Sequence, residues 1–512
     1  MAKSNLMASN SPMLFELPAS TTITQFLEGL EQLARIQVIA KTACQRSYLD
    51  SFDWRLYSNN LVAEWLVTGS LSTFNVSNLS TSQLIRYEKR SVLPRFADQF
   101  ATEEMRTLLE PILEVRALLP ICRIDYTVIP VNLVDDEGKT ILRLHIESYQ
   151  HFNNRLHIQA VKGYESAAKN FLTQLKATWP IQPVHDTLLI SALKRLGRQP
   201  LDYTSKLCLH LTADEKAEQA AKSIYQELLK TLRRNEQGVI HDIDSGFLHD
   251  FRVAVRRTRA GLSQIKGVLP EAITTQYAAF FSWLGQITTP TRDLDVYLLN
   301  FPQYQSSLPY PLNENLAPLK DLLLTKQRLA QQTLARQLQS SNYLTTITEW
   351  ENYLNQNQAH QSHTKLNIKQ LADLRIWKIF QKVLAQGDSI SDDSPWEALH
   401  ELRKTCKKLR YLIEFFQSLY VEKKLKHVIQ RLKTLQDVLG NIQDFHVQEE
   451  SLKQFRQELA LHALPVEHLT AIDALIHSLR LHKDQARQAF AAHYRQFRNV
   501  DNQAAFKELF AP

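Results

Sequence analysis

The sequence predicts an α+β protein, with a mixed α/β domain over residues 1–200 followed by an all-α domain over residues 205–510. Three observations point there. β-type runs are confined to the first two hundred residues. From Thr212 onward apolar residues recur with helical spacing almost without a break, and this helical part repeats itself at offsets of 151–152 residues. Gly, at 12 in 512, is scarce, which favours helix because tight hairpins and bulges usually call on Gly.

Taken in order, runs rich in Val, Ile, Leu and Thr at 36–43, 61–68, 121–130, 141–149 and 155–161 read as strands. VDDEGKT at 134–140 reads as a hairpin turn. Helical periodicity marks 23–34, 101–113 and 163–178. The strand pattern stops at 197–202. Thr212-Ala-Asp-Glu215 reads as a helix start, a Thr cap with an acid three residues on. Breaks at 238–246, 288–291, 301–315, 386–395 and 464–466 draw on Gly, Pro, Ser, Thr or Asp and suit helix–helix connections.

The repeat is specific. Residues 224–232 (IYQELLKTL) align with 376–384 (IWKIFQKVL), and 249–259 (HDFRVAVRRTR) with 400–410 (HELRKTCKKLR). Leu284-Gly285 and Arg292-Asp293 have weaker counterparts in Leu439-Gly440 and Gln443-Asp444, with an indel between. Two copies of a four-helix unit, 212–345 and 365–510, are the simplest reading.

Composition bounds the function. With 44% apolar and 22% charged residues, each domain can bury a core and general disorder is excluded. The net charge is +7, divided as +2 over 1–200 and +5 over 201–512, so a polyanion would need a local concentration of cations. Cys44, Cys122, Cys208 and Cys406 form neither a CxxC site nor a disulfide framework. The start of the chain lacks a signal-peptide apolar run, and no stretch is long and apolar enough to span a bilayer, so a cytoplasmic protein is expected. Nucleotide-cradle, nucleophile-elbow and HExxH motifs are missing. His462, His468, His477, His482 and His493 are not spaced as metal pairs and read as surface residues.

Chemistry concentrates on the repeated helix. At about 100° per residue, His249, Arg252, Arg256 and Arg259 fall within an arc of about 80°. His400, Arg403, Lys407 and Arg410 take the same angles in the second copy. Leu248, Phe251, Val255 and Leu262, matched by Leu399, Leu402, Cys406 and Ile413, form an apolar stripe beside them. The cations therefore border the core and should line a crevice. Arg257 and Lys408 lie away from this stripe and Lys404 just outside it. Like charges at i, i+3 and i, i+4 destabilise a helix, and the nearby acids are Asp250 and Glu401. An external polyanion would relieve that repulsion through charge-assisted hydrogen bonds. A single copy could equally be a solvated face with acid partners; the repetition of position, type and apolar flank favours a ligand. Lys230 and Lys382, which share a repeat position, and Arg292, beside Asp293 and Asp295, are weaker candidates.

These residues resemble the CHAD family, the conserved histidine α-helical domain, over 205–505. The resemblance rests on the two His-x-x-Arg-x-x-x-(Arg/Lys)-(Arg/Lys)-x-Arg helices, the Leu-Gly…Arg-Asp-x-Asp segment at 284–295 and LQDVLGNIQD at 435–444. It implies two four-helix bundles related by a pseudo-twofold, a basic groove or pore that binds inorganic polyphosphate, and association with polyphosphate granules. Carried over, the groove residues are His249, Arg252, Arg256, Arg257, Arg259, His400, Arg403, Lys404, Lys407, Lys408 and Arg410. Residues 1–200 resemble a degenerate CYTH domain, a triphosphate tunnel barrel, in YLDSFDWRLY at 48–57 and LHIQAVKG at 156–163. An active member of that fold needs an ExExK strand to hold a divalent metal, and none stands before Arg46. LVAEWLV at 61–67 has no Arg, and His157 and Gln159 stand where paired acids are expected.

The expectation is a non-catalytic polyphosphate-binding protein with no cofactor, metal site or membrane partner, its oligomeric state left open. The alternative is a CYTH-type metal-dependent triphosphatase or polyphosphatase with the helical domain as substrate dock. Nucleic-acid binding through the same stripes ranks third, without a groove-reading motif to support it.

Overall fold

The computed structural model describes residues 13–184, 187–356, 366–462 and 464–511. The reading of residues 1–12 as free of a leader, and residue 365 at the start of the second repeat, lie outside them. The chain divides into two compact units, residues 1–204 and 205–512.

The first unit runs β1 (Met13–Glu16), α1 (Ile23–Leu33), β2 (Ile36–Val38), β3 (Thr42–Asp50), α2 (Arg55–Ser58), β4 (Leu61–Thr68), β5 (Leu71–Asn78), β6 (Leu84–Lys89) and α3 (Glu103–Leu113). It continues β7 (Leu119–Val134), β8 (Thr140–Tyr149), β9 (Arg155–Ala160), α4 (Glu165–Thr178), β10 (Gln182–Pro183) and α5 (Leu189–Arg195). The strands form one antiparallel sheet in the order β10-β1-β9-β8-β7-β3-β4-β5-β6, with β2 on β7. The expected strand at 36–43 is two strands, β2 and β3, separated at Ile39–Lys41. The hairpin at 134–140 joins β7 to β8. Phe26, Leu30, Phe171 and Leu175 from α1 and α4 pack with Val131, Leu144 and Ile158 of the sheet. Phe74 and Val76 of β5 pack with Leu109 and Leu113 of α3.

The second unit is helical: α6 (Ala217–Ile240), α7 (Ser245–Gln264), α8 (Glu271–Ile287), α9 (Thr289–Ser306), α10 (Ala317–Leu338), α11 (Ser341–Asn355), α12 (Ile368–Asp388), α13 (Trp396–Phe416), α14 (Glu422–Ala460), α15 (Val466–Phe497) and α16 (Val500–Phe510). None of its described helices is long and apolar enough to cross a membrane. The copies correspond helix by helix, with the 39-residue α14 taking the place of α8 and α9 together. A short helix, α11 or α16, closes each copy. The expected helix start at Thr212 is a turn in which Glu215 N–H donates to Thr212 O at 3.1 Å. The helix begins at Ala217, after Lys216. Lys216 and Asn367, the N-caps of the equivalent helices α6 and α12, pair with each other in an antiparallel bridge. Equivalent residues meeting each other is what a local twofold requires.

One glycine carries a stability prediction. A Cβ at Gly387, in the last turn of α12, would overlap the Tyr494 ring. That ring is held in place, because its hydroxyl lies 2.8 Å from Leu384 O and 2.7 Å from Asp388 Oδ1 and donates its one proton between them. Gly387→Ala is expected to cost about 1–3 kcal/mol, as overpacking does, measured as a lowered midpoint in urea.

Candidate anion-binding site

α7 owes its position to Asp244, whose carboxylate accepts from Gly246 and Phe247 N–H at its start. All eight apolar residues of the repeated stripe are buried, from Phe251, Leu402, Cys406 and Ile413 at 0% exposure to Leu248 and Leu399 at 3%. Burying these stripes fixes the rotation of α7 and α13, and so decides where the neighbouring cations point.

Two cavities lie where α7 and α13 meet. The first, of about 570 Å³, includes His249, Arg256, Arg257, Arg403, Lys407 and Arg410 in its wall. The second, of about 450 Å³, includes Arg256, Arg259, Lys404, Lys407 and Lys408. Arg256, Lys407 and Tyr411 line both. The cavities exchange under the repeat: Arg256 matches Lys407, Arg257 matches Lys408, Arg259 matches Arg410 and Ser263 matches Glu414. The two cationic stripes thus face one shared space.

Their electrostatics differ. In the first cavity, Glu414 accepts from Arg257 Nη2 at 2.8 Å and from Arg410 Nε at 2.7 Å. Arg257 also donates to Ser205 O at 3.0 Å. Arg403 reaches Asp444 at 3.2 Å. The wall of the second cavity holds five cations and no carboxylate; Lys404 turns to Glu401 outside it, at 2.6 Å. In the shared region Arg256 Nε is buried without a hydrogen-bond partner. Burial, then Arg403 and Arg256, push the Lys407 ammonium down to about 8, although Asp444 opposes the shift.

Nine of the eleven carried-over residues line these cavities. Arg252 does not. Its Nη1, with two N–H groups, lies within hydrogen-bond distance of Gly285 O at 3.1 Å, Thr288 Oγ1 at 2.6 Å and Thr289 Oγ1 at 3.1 Å, where α8 gives way to α9. Burial, then Arg256, bring it down to about 10. The second copy has no such helix break, and its Arg403 stays in the cavity. His400 is also outside, bound through Nδ1 to Gln443 and packed 5.1 Å from the Trp396 ring. Among the weaker candidates, Lys382 lines a third cavity. Lys230 pairs with Glu227 at 3.5 Å. Arg292 lies half-buried outside the cavity walls.

The first unit holds a different cluster. Arg46 of β3 lies 2.9 Å from Glu147 and 3.4 Å from Glu64, over the Tyr126 ring. His157 Nε2 is 3.3 Å from Glu147. Burial alone would raise the Glu147 carboxyl, but Arg46 and His157 outweigh it and hold it at about 2. A cavity of about 690 Å³ in this unit is walled by Tyr126, Tyr149 and Asp125, without a Lys or Arg. Among the described residues, no group of three or more His, Cys, Asp or Glu is placed to hold a metal ion. Glu64 and Glu147 escaped the sequence reading because each stands alone in an apolar strand. Their alternation with core residues was the available signal.

The helical unit matches a known family. The CHAD domain model aligns with residues 223–453. This stretch, somewhat less than half of the chain, is similar to the CHAD domain. The match lies inside the expected 205–505 and contains both cationic helices. No curated protein matches the chain. Among solved structures, the CHAD domain from the plant Ricinus communis is 24% identical, over 60% of this chain and 96% of that one, with a TM-score of 0.43. PptA from Streptomyces chartreusis is 14% identical over 55% and 99%, with a TM-score of 0.44. The putative adenylyl cyclase HpAC1 from Hippeastrum, described as having a dominant triphosphatase activity, is 12% identical over 38% and 99%, with a TM-score of 0.28.

Proposed function

We propose that the CHAD domain binds inorganic polyphosphate without turning it over, and that this binding brings the protein to polyphosphate granules. The observation that carries the reading is the pair Arg256 and Lys407. They are equivalent positions of the two copies, they share one half-buried space, and the wall of the second cavity offers them no carboxylate. Holding like charges together there is unfavourable. A phosphate chain supplies the missing negative charge and accepts hydrogen bonds from both. The first unit supports a non-catalytic role, since Glu64 and Glu147 face Arg46. Equilibrium binding of long-chain polyphosphate to the full chain, with single-stranded DNA as competitor, tests the reading. Retention of DNA in excess polyphosphate would overturn it.

A pH dependence follows from Lys407. In the free protein this ammonium begins to lose its proton near pH 8, below its ordinary 10.5. Bound phosphate draws it back up, so binding above pH 8 takes up a proton. Affinity should be flat below pH 8 and fall above it, by at most about tenfold per pH unit for one proton. Titration calorimetry in buffers of different ionisation enthalpy measures the uptake. Lys407→Arg should extend the plateau, because a guanidinium stays charged. Without ligand the sign reverses: the folded pKa is depressed, so the repulsion is fully present below pH 8 and eases between 8 and 10.5.

A further inference from the structure

The second cavity continues beyond α13. Lys408 and Ser263 line it and also line a third cavity of about 300 Å³. Lys266, at the end of the first cationic helix, and Arg375, Lys378 and Lys382, on one face of α12, complete a wall without a carboxylate. The three α12 cations stand at i, i+3 and i+7, so their side chains repel. Burial, then Lys382 and Lys404, hold the Lys408 ammonium below its ordinary value. Arg375 donates from Nη2 to Lys266 O at 3.0 Å, and its Nε is buried without a partner.

The feature belongs to the second copy alone. Ser223, Gln226 and Lys230 stand at the matching positions of α6. Gln226 is tied to Leu354 O at 3.0 Å and Lys230 faces Glu227. On the opposite side of the groove, Glu414 already neutralises Arg257 and Arg410. Cationic wall without acid therefore extends in one direction only, from Arg256 and Lys407 past Lys408 to Lys382.

We propose that this third cavity is an additional polyphosphate subsite, reached only by chains long enough to leave the α7–α13 groove over Lys408. The inference rests on the polyphosphate reading above and adds a route and a chain-length dependence to it. Lys378 and Lys382 are exposed, so their replacement should leave the fold intact, to be checked by an unchanged urea midpoint. The test compares the full chain with its Lys378→Glu/Lys382→Glu variant, using tripolyphosphate and long-chain polyphosphate as probes. The expected result is a loss of about tenfold or more, or about 1.4 kcal/mol, for the long chain, with tripolyphosphate affinity unchanged within a factor of two. Equal losses for both probes, or no loss for either, would overturn the subsite. If the unaltered protein binds neither probe, the polyphosphate reading itself fails and takes the subsite with it.

Discussion

Arg256→Ala combined with Lys407→Ala should remove measurable polyphosphate binding while leaving the protein as stable as before, or more so. Both residues line both cavities, so no seating of the chain in the groove avoids them. A hydrogen bond from a charged donor contributes about 1.5–3 kcal/mol. Losing two amounts to about 3–6 kcal/mol, or roughly two to four orders of magnitude in affinity. Stability should behave differently. Arg256 Nε has no hydrogen-bond partner, and Lys407 is pushed down by burial and cationic neighbours. Removing this pair takes away repulsion. A thermal melt and a binding titration on the same sample check both halves; lost binding accompanied by a large fall in melting temperature would mean the pair is structural. Replacing Arg252 instead should cost mainly stability, because its hydrogen bonds hold the α8–α9 junction.

The second large effect is expected in the other unit. Glu147→Ala leaves Arg46 buried beside Glu64 alone, at 3.4 Å, takes the acceptor from the Tyr149 hydroxyl and removes the carboxylate beside His157. Breaking a buried ion pair by removing one partner costs about 3–5 kcal/mol. The acid dependence has a definite sign. Glu147 is held at about 2 in the folded state, so its contribution is complete above its ordinary carboxyl range and is lost as pH falls from there towards 2. Urea unfolding followed by Trp54 and Trp65 fluorescence at neutral and acid pH should show a deficit in the variant that shrinks on acidification. Polyphosphate binding should persist, because the proposed site lies in the other unit, between α7 and α13.

Much of this was legible in the sequence for a physical reason. A helix that repeats both its apolar stripe and its cations constrains its own rotation, so the angular positions of Arg256 and Lys407 predicted a shared crevice. What escaped depended on partners distant in sequence. Arg252 has the same angle as Arg403, but the extra residues at the α8–α9 junction give it Thr288 and Thr289 to bind. Glu414 lies one turn beyond the recognised motif, where the first copy has Ser263, so its pairing with Arg257 of the other helix could not be read from either copy alone. Arg375, Lys378 and Lys382 carried a usable signal, a basic row on one helix face, but Lys266 joins them only through tertiary packing. In the first unit, β5 was missed because LSTFNVSN reads as turn residues. Its antiparallel pairing with β4 and β6 makes it a strand, with Phe74 and Val76 turned into the core.

The bridge between Lys216 and Asn367 has a consequence for the kind of polymer that fits. Two helices related by a local axis offer nearly the same succession of charges to a strand arriving from either direction. A linear run of identical phosphates has no head or tail and can lie in such a groove both ways round with similar energy. A nucleic-acid strand has a 5′-to-3′ polarity, so in either sense it would set its two ends against equivalent halves of the groove and break the symmetry that a run of identical phosphates keeps. Where the copies diverge, at Glu414 on one side and α12 on the other, the groove gains a handedness that its ligand does not possess.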